Sequence, residues 1–69
     1  MSTAQYTVTG MTCGHCVASV KEEVGAIRGV SDVAVDLQSG RLTVTSDTPL
    51  PEAAVTAAVE EAGYTAQPI

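Results

Sequence analysis

Gly10-Met11-Thr12-Cys13-Gly14-His15-Cys16 separates two kinds of periodicity in this 69-residue chain. Before it, from Gln5 to Thr9, apolar and polar residues alternate: Tyr6 and Val8 share one face, Thr7 and Thr9 the other. That is the pattern of a short half-buried strand, and Gly10 breaks it. After it, from Cys16 to Ile27, Val17, Val20, Val24 and Ile27 recur at three- and four-residue intervals. This is the apolar stripe of a helix, with Lys21, Glu22 and Glu23 largely on the other side. Gly25 falls inside that helical span, where it costs about 1 kcal/mol relative to Ala. Gly29 suits a C-terminal cap. Residues 1–3 read as a loose terminus.

Alternation returns from Val30 to Leu37, through Val33, Val35 and Leu37, and again from Arg41 to Thr45, with Leu42 and Val44 on one face. Gln38-Ser39-Gly40 between the two runs is a turn signal, so they read as a β-hairpin. Ser46 to Leu50 connects to a second helix. Pro51 fits its first turn, where the missing N–H does no harm. Val55, Ala58, Val59 and Ala62 form its inward stripe, Glu52, Glu60 and Glu61 are solvated, and Gly63 ends it. Tyr64 to Gln67 is a short last strand. The order is β-α-β-β-α-β, and every strand has one apolar face. The expected fold is therefore α+β: a ferredoxin-like sandwich with a four-stranded antiparallel sheet and both helices on one face. Residues 1–69 read as one domain, with the cysteine-bearing loop at 10–16.

Composition sets limits. A core this small is marginal, because a chain of this length buries only roughly 60% of its unfolded surface. The apolar residues are mostly Val and Ala, with no Trp and no Phe, so a bound metal would be a useful staple. Eight acidic residues against three basic ones give a net charge of −5. That argues against nucleic acid and favours solubility; an ordinary acidic surface is the first reading, and steering toward a basic partner surface the second. There is no signal-peptide core and no apolar run long enough for a membrane span. The expectation is a soluble, cytoplasmic domain without direct membrane insertion. In a reducing compartment, two adjacent cysteines point to metal binding or redox chemistry before a structural disulfide.

The loop holds both cysteines and the only histidine. With one sulfur on the loop and the other near the first helical turn, Cys13 and Cys16 can converge on one ion. The helix N-terminus stabilises a thiolate, which is the metal-binding form. Two thiolates without a carboxylate suit a soft ion, and Cu(I) is the best match. Structural zinc usually takes four protein ligands, and this chain offers at most three, counting His15. A monomer cannot supply the four ligands of an iron–sulfur cluster. The Cys-x-x-Cys spacing alone also fits a thioredoxin-like redox site.

The full string from Gly10 to Cys16, set between a first strand and a first helix, resembles the heavy-metal-associated domain family. So does Glu60-Glu61-Ala62-Gly63-Tyr64 near the C-terminus, and the resemblance runs over nearly the whole chain. As a single domain it is similar to bacterial copper chaperones. The resemblance implies Cys13 and Cys16 as Cu(I) ligands. It implies that Met11 packs in the core beneath the loop and that Tyr64 sits beside the site, shielding or hydrogen-bonding the sulfurs. It also implies a partner, the N-terminal domain of a copper-transporting P-type ATPase, with a copper-responsive repressor as a second candidate. No covalent chemistry on a substrate is called for, so no enzyme activity is expected.

His15 is expected to point outward, tuning thiol acidity and metal access in a monomer. Its sharper alternative is a third ligand in a metal-bridged dimer. Relatives that handle zinc or cadmium often carry an acidic residue just before the first cysteine; Thr12 stands there and favours a monovalent ion. Periplasmic mercury-binding relatives carry an export signal that has no counterpart here. A dithiol oxidoreductase needs a substrate groove and a cis-proline beside the site, and Pro49, Pro51 and Pro68 are not placed for that.

Overall fold

Two-residue alternation and helical stripes meet around one core in the computed structural model, which describes residues 2–11 and 14–69; Met1, Thr12 and Cys13 lie outside the described residues. The elements run β1 (Ser2–Thr9), α1 (Gly14–Gly25), β2 (Val30–Asp36), β3 (Arg41–Ser46), α2 (Glu52–Glu61) and β4 (Thr65–Pro68). The strands form one sheet in the order β2-β3-β1-β4, and every neighbouring pair is antiparallel. The ferredoxin-like order expected from the sequence is the order observed.

The inward face of the sheet is built from Tyr6, Val8, Leu42, Val44 and Ala66, and the helices cover it with Val20, Val24, Val55, Ala58 and Val59. Val20, Val24, Leu42, Val55 and Val59 are fully shielded from solvent. Small side chains let the helices sit close to the sheet and to each other, with α1 against β2 and α2 against β4. Val33 and Val35 are half-buried at the margin. Ser46, a buried polar residue, donates its Oγ hydrogen to the Thr48 carbonyl at 2.6 Å. Burial of its hydroxyl therefore leaves no donor unmet.

Several local expectations need correction. Residues 2 and 3 are not a loose terminus: Ser2 and Thr3 face Ser46 and Thr45 across the β1–β3 ladder. The partner strand offers hydrogen bonds that a short alternating pattern does not advertise. The first helix spans Gly14–Gly25, starting and ending two residues before the apolar stripe suggested. Ile27 still packs on the core, but from a turn in which its N–H reaches the Val24 carbonyl. Gly25 consequently closes the helix and carries no interior penalty, while Gly29 lies in the connection, accepting from the Asp47 N–H at 2.9 Å. Pro51 is the N-cap of α2, one position ahead of the first turn. The last strand is Thr65–Pro68, because Tyr64 is used to cap α2.

The β2–β3 hairpin turn fixes the end of the sheet from which the cysteine loop emerges. The Gly40 N–H bonds the Asp36 carbonyl at 2.8 Å, and Gly40 in turn accepts from the Val8 N–H at 2.7 Å. A Cβ at Gly40 would stand 2.8 Å from the Val8 carbonyl oxygen, and φ there is 73°. No larger residue fits without prising the hairpin off β1. At the two sheet edges, β2 carries a bulge between Val30 and Asp32, and β4 ends on Pro68.

Burial is also legible in one titration. Desolvation of Tyr6, and secondarily the nearby Glu52 carboxylate, push its phenol above the ordinary value of 10.0. The folded chain therefore holds that proton more tightly than the unfolded one. The resulting stability is complete below pH 10 and is lost as pH climbs through the raised value. Urea unfolding followed across the alkaline range should show the midpoint falling above about pH 10, a fall that Tyr6→Phe should reduce.

Candidate metal centre

The end of the molecule that carries the cysteines is assembled from three directions. β1 delivers Gly10 and Met11. α1 starts at Gly14 and places His15 and Cys16 in its first turn. The C-terminal end of α2 brings Tyr64 alongside.

The helix start explains the electrostatics. The first N–H groups of a helix have no intrahelical acceptor and carry partial positive charge. No acidic residue occupies the first turn of α1. That turn therefore supplies no carboxylate of its own against the positive end, which favours the anionic form of a side chain placed there. Cys16 sits in this turn and is half-buried, while His15 beside it is exposed. Cys13, the expected first ligand, and Thr12, the position read for charge, lie outside the described residues. Among the described residues, no three His, Cys, Asp or Glu side chains gather into a metal cluster.

Met11 is half-buried and packs on the core cluster. Its side chain thereby ties the start of the loop to the apolar interior.

Tyr64 is placed by the way α2 ends. The Tyr64 N–H reaches back to the Val59 carbonyl at 3.1 Å, and the Gly63 N–H to that of Glu60 at 2.9 Å. With Ala62 as C-cap, this pair of bonds is a Schellman motif, which satisfies orphan carbonyls and turns the chain sharply. Thr65, one residue later, faces Thr9 in the β1–β4 ladder. The ring of Tyr64 is half-buried, packs on the core, and lies against Gly10 at the loop entrance. The sequence marked Gly10 only as a strand breaker and Gly63 only as a helix stop. Their shared role around Tyr64 depends on the β1–β4 pairing, which neither local pattern reveals.

Among the described residues, no helix is long and apolar enough to cross a membrane.

Comparison with known proteins is consistent with this arrangement. The model of the heavy-metal-associated domain family matches residues 5–65. The copper chaperone CopZ of Enterococcus hirae is 39% identical over 66 residues, covering 94% of this chain and 96% of CopZ. A mercuric reductase of Shewanella putrefaciens is 38% identical over 60 residues, covering 87% of this chain, which spans only 11% of that enzyme. Among solved structures, a copper binding domain from HMA7, a P-type ATPase, superposes with a TM-score of 0.92 at 33% identity. That superposition covers all of this chain and 95% of the domain.

The helix-end electrostatics can be tested at Gly14, where an added Cβ would meet nothing within 4 Å. Gly14→Asp should stabilise the apo protein in urea unfolding by about 0.5 kcal/mol through the helix dipole. The same substitution should slow alkylation of Cys16 by iodoacetamide at neutral pH, because the new carboxylate competes for the positive helix end.

Proposed function

We propose that this chain, which belongs to the heavy-metal-associated domain family, is a copper chaperone that carries Cu(I) between the thiolates of Cys13 and Cys16. The observation behind this reading is the place of Cys16: half-buried, in the first turn of α1, a turn that carries no acidic residue. Such a setting favours a soft monovalent ion held by sulfur. The similarity to a copper chaperone over nearly the full length of both chains supports the same reading.

The cargo passes by ligand exchange. An incoming partner thiolate adds to the two-coordinate Cu(I), giving a three-coordinate bridge, and one of the chaperone's sulfurs then leaves. Copper stays Cu(I) throughout, so no electron donor or acceptor is required. Cys13 is the sulfur that exchanges first; Cys16 is anchored in the first turn of α1. Met11 holds the loop to the core without ligating, Tyr64 flanks it, and exposed His15 tunes thiol acidity and access. The recipient is the N-terminal domain of a copper-transporting P-type ATPase. A copper-binding domain of such an ATPase shares the fold, so donor and acceptor would present equivalent loops. Such delivery belongs in the cytoplasm and needs no enzymatic step.

A mercuric ion is the second reading, favoured by the similarity to part of mercuric reductase. Titration alone does not discriminate, because two thiolates bind Hg(II) tightly whatever the biology. Delivery does: a mercury carrier has no reason to load a copper-pump domain.

In competition with a Cu(I) chelator, Cys13→Ser and Cys16→Ser should each weaken affinity by more than the roughly 100-fold that outer ligand-supporting groups typically contribute, and His15→Ala should leave it unchanged. Mixing copper-loaded protein with the ATPase's N-terminal domain should move the metal-loop NMR signals of both partners. Copper that stays on the chaperone overturns the delivery reading.

A further inference from the structure

At the loop entrance, Gly10 has φ of 97°. A Cβ built on it would stand 3.2 Å from Cδ1 of Tyr64 and 3.9 Å from Cε1. Carbon atoms prefer roughly 3.5–4.0 Å, so the Tyr64 ring occupies the space a side chain at position 10 would need. To admit a Cβ there, the ring would have to give by a few tenths of an ångström. Its backbone is fixed by the bond from the Tyr64 N–H to Val59, and Thr65 is held opposite Thr9 in the β1–β4 ladder. Thr9 and Gly10 are adjacent, as are Thr65 and Tyr64, so the ladder brings the two backbones together just before the loop begins.

We propose that Gly10 is a positioning residue for copper retention: its missing side chain seats the Tyr64 ring against the loop entrance, and that contact slows release of Cu(I). The inference rests on the copper reading above. A seated ring restricts the loop at its entry, so the two sulfurs need less ordering to hold the ion and open less often to a competing ligand. Any side chain at position 10 pushes the ring aside. The cap of α2 is thereby mechanically joined to the cysteine loop, although some fifty residues separate them in sequence.

The test is a double-mutant cycle read as the rate at which excess Cu(I) chelator strips the loaded protein. Gly10→Ala and Tyr64→Leu should each speed release about tenfold, and the double variant should be no faster than either, since both remove one contact. Urea unfolding of the apo variants separates this from backbone strain: Gly10→Ala lowers stability in both backgrounds, whereas its effect on release vanishes without the tyrosine ring. If Gly10→Ala does not fold, Gly10→Asn carries the same Cβ in a residue that tolerates positive φ. Independent, multiplying effects in the cycle, or release rates that do not change, overturn the proposal. So does absence of a nuclear Overhauser contact between Gly10 Hα and Tyr64 Hδ in the apo protein. If instead the wild type holds Cu(I) no better than Cys13→Ser, the copper reading itself fails, and the Overhauser contact then reports on the packing alone.

Discussion

The two-sided pairing of β1 is the constraint on which the rest of the structure depends. β3 lies along one edge of this strand and β4 along the other. A central strand must satisfy its backbone groups on both sides, so where β1 stops determines what can gather at its end. The hairpin turn arrives on one flank through Gly40, and the start of β4 arrives on the other through Thr65 opposite Thr9. The cysteine loop leaves between them. The helix that follows is held to the sheet by Val20 and Val24, which fixes the direction in which its positive end points. The loop is short, and the frame around it is hydrogen-bonded or packed on three sides.

Much of this was legible in the sequence because the core is built from simple periodicity. Val20 and Val24, Val55 and Val59, Tyr6 and Val8, and Leu42 and Val44 all lie where their spacing put them. Element order followed, and with it the fold. What periodicity left out were effects supplied by particular partners, some of them distant in sequence. Ser2 and Thr3 are strand residues because Ser46 and Thr45 face them. Tyr64 is a cap residue because Val59 accepts its N–H. Ile27 kept its apolar contact after the helix had ended, so the stripe overran the helix. At the candidate site, the local strings singled out the cysteines, the histidine and the tyrosine, of which Cys13 lies outside the described residues. The packing of Tyr64 on Gly10 needed the β1–β4 register.

The helix ends show where local stability is given up. α2 closes with Glu60 and Glu61, acidic side chains at the negative end of its dipole, and no basic residue offsets them in the last turn. That arrangement costs a few tenths of a kcal/mol for each exposed charge. The Schellman bonds from the Gly63 and Tyr64 N–H groups compensate by satisfying the carbonyls of Glu60 and Val59 at that end. The positive end of α1 is left without a countercharge of its own. The cap of α2 reaches the entrance of the cysteine loop through Tyr64, whose ring lies against Gly10.

The sheet's two edges bear on how the protein behaves when it is abundant. In β2, the extra residue Ser31 turns its hydroxyl to the Thr45 carbonyl at 3.2 Å, and exposed Asp32 and Asp36 flank the ladder. In β4, Pro68 has no N–H to offer. Irregularity, like charges and proline each discourage another strand from adding to an open edge. Copies crowded together therefore have no ready route to edge-to-edge polymerisation. The chain can therefore rise in concentration with both open edges of its sheet guarded against that mode of aggregation.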